Sequence, residues 1–420
     1  MTDPATTEVG STRAFVTVGI GLVVPALPAF MVGALGTQVR AELGLTESAL
    51  GLIVAVLFVV SALAGPLTGR LADRLGDRFA ITAGTVLSFL ALMGIGIAAH
   101  RWSDLVLLMI CGGIGIALVD PGLARMVAGR VPERWRGLVF GVKESSIPLA
   151  TMVAGFAVPL IAVTVGWRWA VTVAVVPFVA VMALLFGRRS PRRRGNGPAA
   201  VPAPGAASAP GPASASDPAP APDTLTTSRR SRTLPPGVVW LAVGAALGTA
   251  AATGVSVFLT QTAVVTGLTV GQGGVLLGVA SLVGVATRIG TGVLAGRRPS
   301  AELRLMPWML AVGAITMVLA ATGTTLGLVV GSFGAFAGGW GWTALFFLAL
   351  VRSAPARPGA VAGVGLSGLG VGNATGPIVF GLVAQTVSFQ AAWLFAASAA
   401  ALAAVAMHRA GRLLADARPG

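Results

Sequence analysis

The sequence predicts an all-α membrane protein in which twelve transmembrane helices form two pseudo-symmetric six-helix bundles. Three observations predict it. Apolar runs long enough to cross a bilayer recur from Ala14 to Met407, the cations fall almost wholly on one side of the resulting alternation, and the second half of the chain repeats the order of the first. Composition agrees: of 420 residues, 55% are hydrophobic and 10% charged, against about a quarter charged in a soluble domain. The mean hydropathy of +0.86 is too high for a water-soluble fold of this length.

A hydrocarbon core about 30 Å thick needs about 20 apolar residues per helix. Such spans lie near residues 14–35, 49–69, 80–99, 104–123, 138–164 and 169–187. After a polar break come 237–261, 271–295, 306–322, 324–348, 360–385 and 390–408. Met1 to Thr12 carries Asp3 and Glu8 and no basic run, so the first span reads as a retained helix rather than a cleaved signal peptide.

With the N-terminus inside, three of the 29 cations fall in outer loops (Arg40, Arg101 and Arg168), two fall within spans (Lys143 and Arg288), and the remaining 24 are internal. That asymmetry predicts a multi-pass protein of the cytoplasmic membrane with both termini in the cytoplasm. An odd number of spans would scramble it.

Residues 188–236 turn abruptly to Pro, Ala, Ser and Arg, a composition that cannot bury a core. The predicted organisation is therefore a cytoplasmic tail at 1–13, a bundle at 14–187, a disordered cytoplasmic linker at 188–236, a second bundle at 237–408 and a tail at 409–420. The arginines at 188, 189 and 192–194 read as retention of the sixth helix end inside rather than as a lipid-docking site.

Shifted by 223, Leu45-Thr46 to Arg74 lies on Leu268-Thr269 to Arg297 without a gap, matching Gly51 with Gly274 and Gly69 with Gly292. Shifted by 222, Gly137, Val139, Gly141, Val142 and Ser145 fall on Gly359, Val361, Gly363, Val364 and Ser367. Two like-oriented six-helix halves around a midplane site are the architecture of alternating-access carriers.

Other classes find little support. One cysteine, Cys111, excludes an intrachain disulfide framework, and two histidines, His100 and His408, leave no usual metal-ligand cluster. No cofactor or metal is expected. The net charge of +15 is explained by topology, so no nucleic-acid partner is expected either. An enzyme would need a nucleophile–base pair or metal ligands within the spans, and a P-loop pump would need a lysine elsewhere than in "GVKES".

Between the second and third spans, Gly69-Arg70-Leu71-Ala72-Asp73-Arg74-Leu75-Gly76-Asp77-Arg78 resembles the G-x-L-x-D-R-x-G-x-R signature of the major facilitator superfamily. The "RGLVFGVKESSIP" and "GWRWAV" openings of the fifth and sixth spans are similar to family members as well, and the likeness covers all twelve spans. It implies a secondary transporter, monomeric, with a small-molecule substrate and membrane lipid as its partners. It also implies a cytoplasmic gate at Gly69, Asp73, Arg74, Gly76 and Arg78, where glycines permit close helix approach and Asp73 can pair with arginines at the rim. In the second copy Gly296 replaces Asp73, so that gate should be weaker. Asp120, just before Pro121, is read either as joining this network through Arg74 or Arg78 or as an exposed helix-end carboxylate.

Charge inside a membrane is costly and so marks functional candidates, here Lys143, Glu144 and Arg288. Lys143 is the only lysine of the chain, which suggests that a compact ammonium is wanted at that site. Adjacent helical residues diverge by about 100°, so Lys143 and Glu144 are not expected to pair. Their repeat counterparts are Gly365, Leu366 and, for Arg288, Gly65, so the scaffold does not demand them.

Glu144 and Arg288 each lie about seven residues from the cytoplasmic end of their spans, roughly 10 Å in at 1.5 Å per residue. The family likeness implies that those two helices are neighbours, so an ion pair across the halves is expected when the cytoplasmic side closes. The cations favour an anionic organic solute, and Glu144 makes protons the candidate coupling ion. The alternative is drug or metabolite efflux by proton antiport. That reading lacks two supports that the likeness would supply: Cys111 stands where such antiporters carry an arginine in the fourth span, and the G-x-x-x-G-P-x-x-x-G pattern falls at Gly372, Gly376-Pro377 and Gly381 in the eleventh.

Overall fold

The computed structural model describes residues 15–130, 139, 141–186, 236–297, 301–353 and 358–416. Among these residues are twelve helices long and apolar enough to cross a membrane: α1 Phe15–Ala34, α2 Glu47–Leu75, α3 Asp77–Ile97, α4 Trp102–Val127, α5 Gly141–Ala162 and α6 Trp167–Phe186, then α7 Pro236–Val265, α8 Val270–Ala295, α9 Glu302–Ala320, α10 Thr325–Leu350, α11 Gly363–Thr386 and α12 Phe389–Asp416. The chain alternates between two ends of the bundle. The end at which α1 begins and α12 finishes is called proximal, the other distal. The linker expected at 188–236 and the N-terminal tail lie outside the described residues, except that Pro236 opens α7.

Two helices differ from the predicted spans. The signature after Gly69 is itself helical through Leu75, and the turn falls on Gly76 alone, whose φ of 89° suits a residue without Cβ. The helix α12 continues to Asp416, well past the expected end at 408, so most of the predicted C-terminal tail is helix. Its Ala410 and Leu414 are buried, and Leu414 packs where a side chain at Gly237 would stand, so tertiary contact extends the helix beyond its apolar run.

The repeat is structural. Gly44 and Gly267, equivalent under the 223 shift, both take positive φ, and each leads to a threonine N-cap: Thr46 Oγ1 accepts from the Ala49 N–H, and Thr269 Oγ1 accepts from that of Gln272. Gln272 Oε1 accepts in turn from the Thr269 N–H, which closes a capping box. Between the halves, a Cβ at Gly274 in α8 would lie 2.7 Å from the Gly155 carbonyl oxygen in α5. Its counterpart Gly51 in α2 abuts the carbonyl of Pro377 in α11, the residue equivalent to Gly155, in the same way. Small residues let these backbones touch.

Both distal seams are shut. Ser48 Oγ donates to Gln385 Oε1 at 2.5 Å, Thr260 Oγ1 donates to the Gly33 carbonyl at 3.3 Å, and Gly381 lies against the Glu47 carbonyl. At the proximal end the two seams differ. Gly141 and Gly292 of α5 and α8 remain adjacent, a Cβ on Gly141 lying 3.8 Å from the Gly292 Cα. Their counterparts Gly363 and Gly69 in α11 and α2 have nothing within 4 Å among the described residues. The bundle is thus closed distally, and its α2–α11 seam parts toward the proximal end.

The "GWRWAV" opening of α6 explains itself at the distal rim. Glu42 accepts from the Trp167 indole N–H and, at 2.7 Å, from Arg168, which also donates to the carbonyls of Gly96 and Ala99. Burial alone would push the Glu42 carboxyl up, but the Arg168 and Trp167 hydrogen bonds outweigh it and hold it below its ordinary range. A depressed carboxylate contributes stability that is complete above its unfolded pKa and is lost as pH falls through its folded one. Glu42→Gln should therefore lower the melting temperature at pH 7 by an amount equivalent to less than about 1 kcal/mol, since the pair is exposed, and the two proteins should converge as pH falls through the lowered pKa of the folded carboxyl.

Candidate functional site

The charges predicted inside the membrane come together where α5 meets α8 and α10. Lys143 and Glu144 are 5% and 6% exposed and Arg288 is fully buried. Lys143 Nζ lies 2.6 Å from Asp120 of α4 and 3.3 Å from Glu144, and 5.6 Å from the ring centre of Phe347 in α10. The ammonium of one half thus rests on an aromatic face of the other, a contact that favours a cation.

Two expectations are corrected. Asp120 pairs with Lys143, not with Arg74 or Arg78, and it is not a free helix-end carboxylate. Lys143 and Glu144 do touch, Nζ lying 3.3 Å from Glu144 Oε1, and the Ser145 N–H just beyond them is shared between the Gly141 and Val142 carbonyls. A flexible four-carbon stem then brings the ammonium round to its neighbour.

Arg288 is held from behind. Its Nε donates to the Trp340 carbonyl at 3.0 Å, and its guanidinium stacks 5.1 Å from the centre of the Trp340 ring. Residues Ala335–Trp340 form a π-helical segment within α10, a distortion that takes carbonyls out of the regular ladder and is frequent at functional sites. The Trp340 indole is fixed in turn by Ser256 Oγ at 2.7 Å. Among the described residues, Nη1 and Nη2 of Arg288 have no hydrogen-bond partner. Among the described residues no ion pair closes between Arg288 and Glu144, whose partner is Lys143. Sequence reasoning missed Trp340 and Phe347; two aromatics in an apolar span carry no signal of a role.

The signature forms a separate site. Asp73 makes its ion pair with Arg125 of α4 rather than with Arg74 or Arg78, and the pair lies within the first half, solvent-exposed. The Arg78 N–H donates to Asp77 Oδ1 at 2.9 Å. Gly69 faces the open seam and Gly76 makes the turn.

The model of the Major Facilitator Superfamily matches residues 9–364. The chain belongs to that superfamily. No curated protein matches it. Among solved structures, one described as a bacterial homologue of the human lysosomal transporter Spinster, inward-facing and unoccupied, superposes with a TM-score of 0.69 at 15% identity over 100% of both chains. A D-xylose–proton symporter gives 0.69 at 16% identity, covering 94% of this chain and 97% of that one. At such identities the likeness is one of fold. Membership makes the chain a multi-pass transporter of small molecules rather than an enzyme.

The eleventh-span pattern also finds its explanation as packing. Gly372 and Gly376 lie against the Ala246 and Ala250 carbonyls of α7, and Gly381 against α2, so these glycines join helices as close-approach points.

Proposed function

We propose that this carrier moves a small organic solute, preferentially an anion, across the cytoplasmic membrane by alternating access, with the α5–α8 charges as its coupling site and protons as the coupling ion. With both termini and the 188–236 linker in the cytoplasm, the proximal opening faces inward. The observation that carries the reading is Arg288: a fully buried guanidinium with two nitrogens that lack a hydrogen-bond partner among the described residues is an arrangement awaiting a negative charge. Glu144, held by Lys143 in this state, supplies that charge when the proximal side closes, and an anionic solute supplies it in a state that opens the α5–α8 seam. Protonation of Glu144 would free it from either cation, which links the step to pH.

A thermal-shift screen of organic anions and neutral metabolites on the purified protein identifies the solute, and counterflow of that solute in liposomes tests carriage. Transport should fall in Glu144→Arg and in Arg288→Glu, and return in the double variant. A double variant no better than the worse single one refutes the exchange of partners and leaves Arg288 as a direct solute ligand, in which case loss of either cation weakens affinity alone.

Asp73 serves the gate by bracing α2 on α4 so that the helix moves as part of its half. Asp73→Asn should lower counterflow several-fold with little loss of folded protein, because an exposed pair contributes under about 1 kcal/mol. Unchanged counterflow at equal expression would remove the gating role. For topology, a label that cannot cross membranes should reach a tag within 188–236 only in opened cells; labelling of intact cells would invert the map.

A further inference from the structure

A groove of about 660 Å³ runs along the outside of the second bundle between α9 and α12. The two helices are antiparallel, so residues that are far apart in sequence share a level. At the proximal mouth stand Arg304, His408 and Arg412, all exposed. Deeper toward the bilayer centre the lining is Pro307, Ala311 and Val405. Arg304 to Ala311 is seven residues, roughly 10 Å of helix at 1.5 Å per residue, so the groove passes from cationic to apolar within the depth of one leaflet's headgroup and upper chain region. Trp308, 74% exposed, stands on its wall at the level where an indole favours the membrane interface.

The cations at the mouth are uncommitted. Glu302, the nearest carboxylate along α9, is 1% exposed and paired at 2.9 Å with Arg352. Among the described residues neither Arg304 nor Arg412 makes an ion pair, although Asp416 follows Arg412 by one turn. At the floor, Gly411 lets the helices approach: a Cβ there would lie 3.4 Å from the Leu303 carbonyl oxygen.

We infer that this groove is a binding site for an anionic phospholipid of the proximal leaflet, its phosphate between Arg304 and Arg412 and an acyl chain along Pro307, Ala311 and Val405. Charge complementarity selects the headgroup, and the polarity gradient selects an amphiphile over a soluble anion. The basic linker is a poor occupant, because its arginines repel those at the mouth.

Native mass spectrometry of the full chain, delipidated and then titrated with phosphatidylglycerol or phosphatidylcholine, tests this. The wild type should retain one more phosphatidylglycerol than the double variant Arg304→Ala/Arg412→Ala, with an apparent affinity loss of at least tenfold, and should show no such difference with phosphatidylcholine. Arg409→Ala, whose guanidinium stacks on Trp240 outside the groove, should behave as wild type. Equal phosphatidylglycerol retention by wild type and the double variant overturns the site, as does competition by inorganic phosphate at millimolar concentration, which would mark a free-anion site. If the double variant folds poorly, Arg304→Gln and Arg412→Gln singly give the same reading.

Discussion

Lys143→Met should abolish solute counterflow and lower the yield of folded protein. The ammonium is 5% exposed and is shared by two carboxylates, so its loss strands Asp120 and Glu144 together in a low-dielectric seam. Breaking a buried pair costs about 3–5 kcal/mol. Asp120 keeps roughly a third of its exposure, which places this case near the lower figure. A double-mutant cycle separates the two pairs: Lys143→Met with Asp120→Asn should recover part of the folded protein, Glu144 remaining unpaired, but not transport. Lys143→Arg should fold yet transport poorly, because a planar guanidinium cannot sit between two carboxylates and the Phe347 ring as a compact ammonium does. Wild-type counterflow in Lys143→Met would show that the cluster is only scaffold.

Gly51→Ala and Gly274→Ala should each drive the distal side open. At Gly51 the added methyl meets the Pro377 carbonyl, and at Gly274 it meets that of Gly155, backbone groups that cannot turn aside. Overpacking of this kind costs about 1–3 kcal/mol, and only the distally closed state bears it, so the conformational ratio should shift by about 5- to 150-fold. Thr260 reports it, being 1% exposed in the closed distal seam. In a Cys111→Ala background, Thr260→Cys should be slow to react with a thiol reagent, and either glycine variant should make it fast. Gly65→Ala, which meets nothing within 4 Å, should leave the rate unchanged.

The sequence made the large features legible because membranes impose them. Span length, cation asymmetry and the 223 and 222 shifts are written in composition and order, and the repeat proved exact enough to pair Gly51–Pro377 with Gly274–Gly155 atom by atom. Lys143, Glu144 and Arg288 stood out because charge is rare there, and the structure brings all three to one seam. What stayed hidden depends on partners at large sequence separation or on irregular backbone. Nothing near Asp73 points to Arg125, and nothing near Asp120 points to Lys143, since α2, α4 and α5 meet only in three dimensions. The Lys143–Glu144 contact needed the reach of a long flexible stem, and the seat of Arg288 needed the π segment ending at Trp340, neither of which periodicity reveals. The length of α12 was underestimated because burial of Ala410 and Leu414 by neighbouring helices, not hydropathy, sustains its last turns.

Alternating access requires that the two halves rock, so that the proximal seam open here closes in another state. Gly69 and Gly363 are its direct reporters, since their counterparts Gly292 and Gly141 are already adjacent while they themselves touch nothing. Spin labels at Gly69→Cys and Gly363→Cys, in a Cys111→Ala background and in liposomes, measure the distance between them. The predicted result is two populations, a long one matching this structure and a short one, whose ratio changes with pH and with the solute found by thermal shift. A single long distance, unmoved by either, would contradict alternating access at this seam.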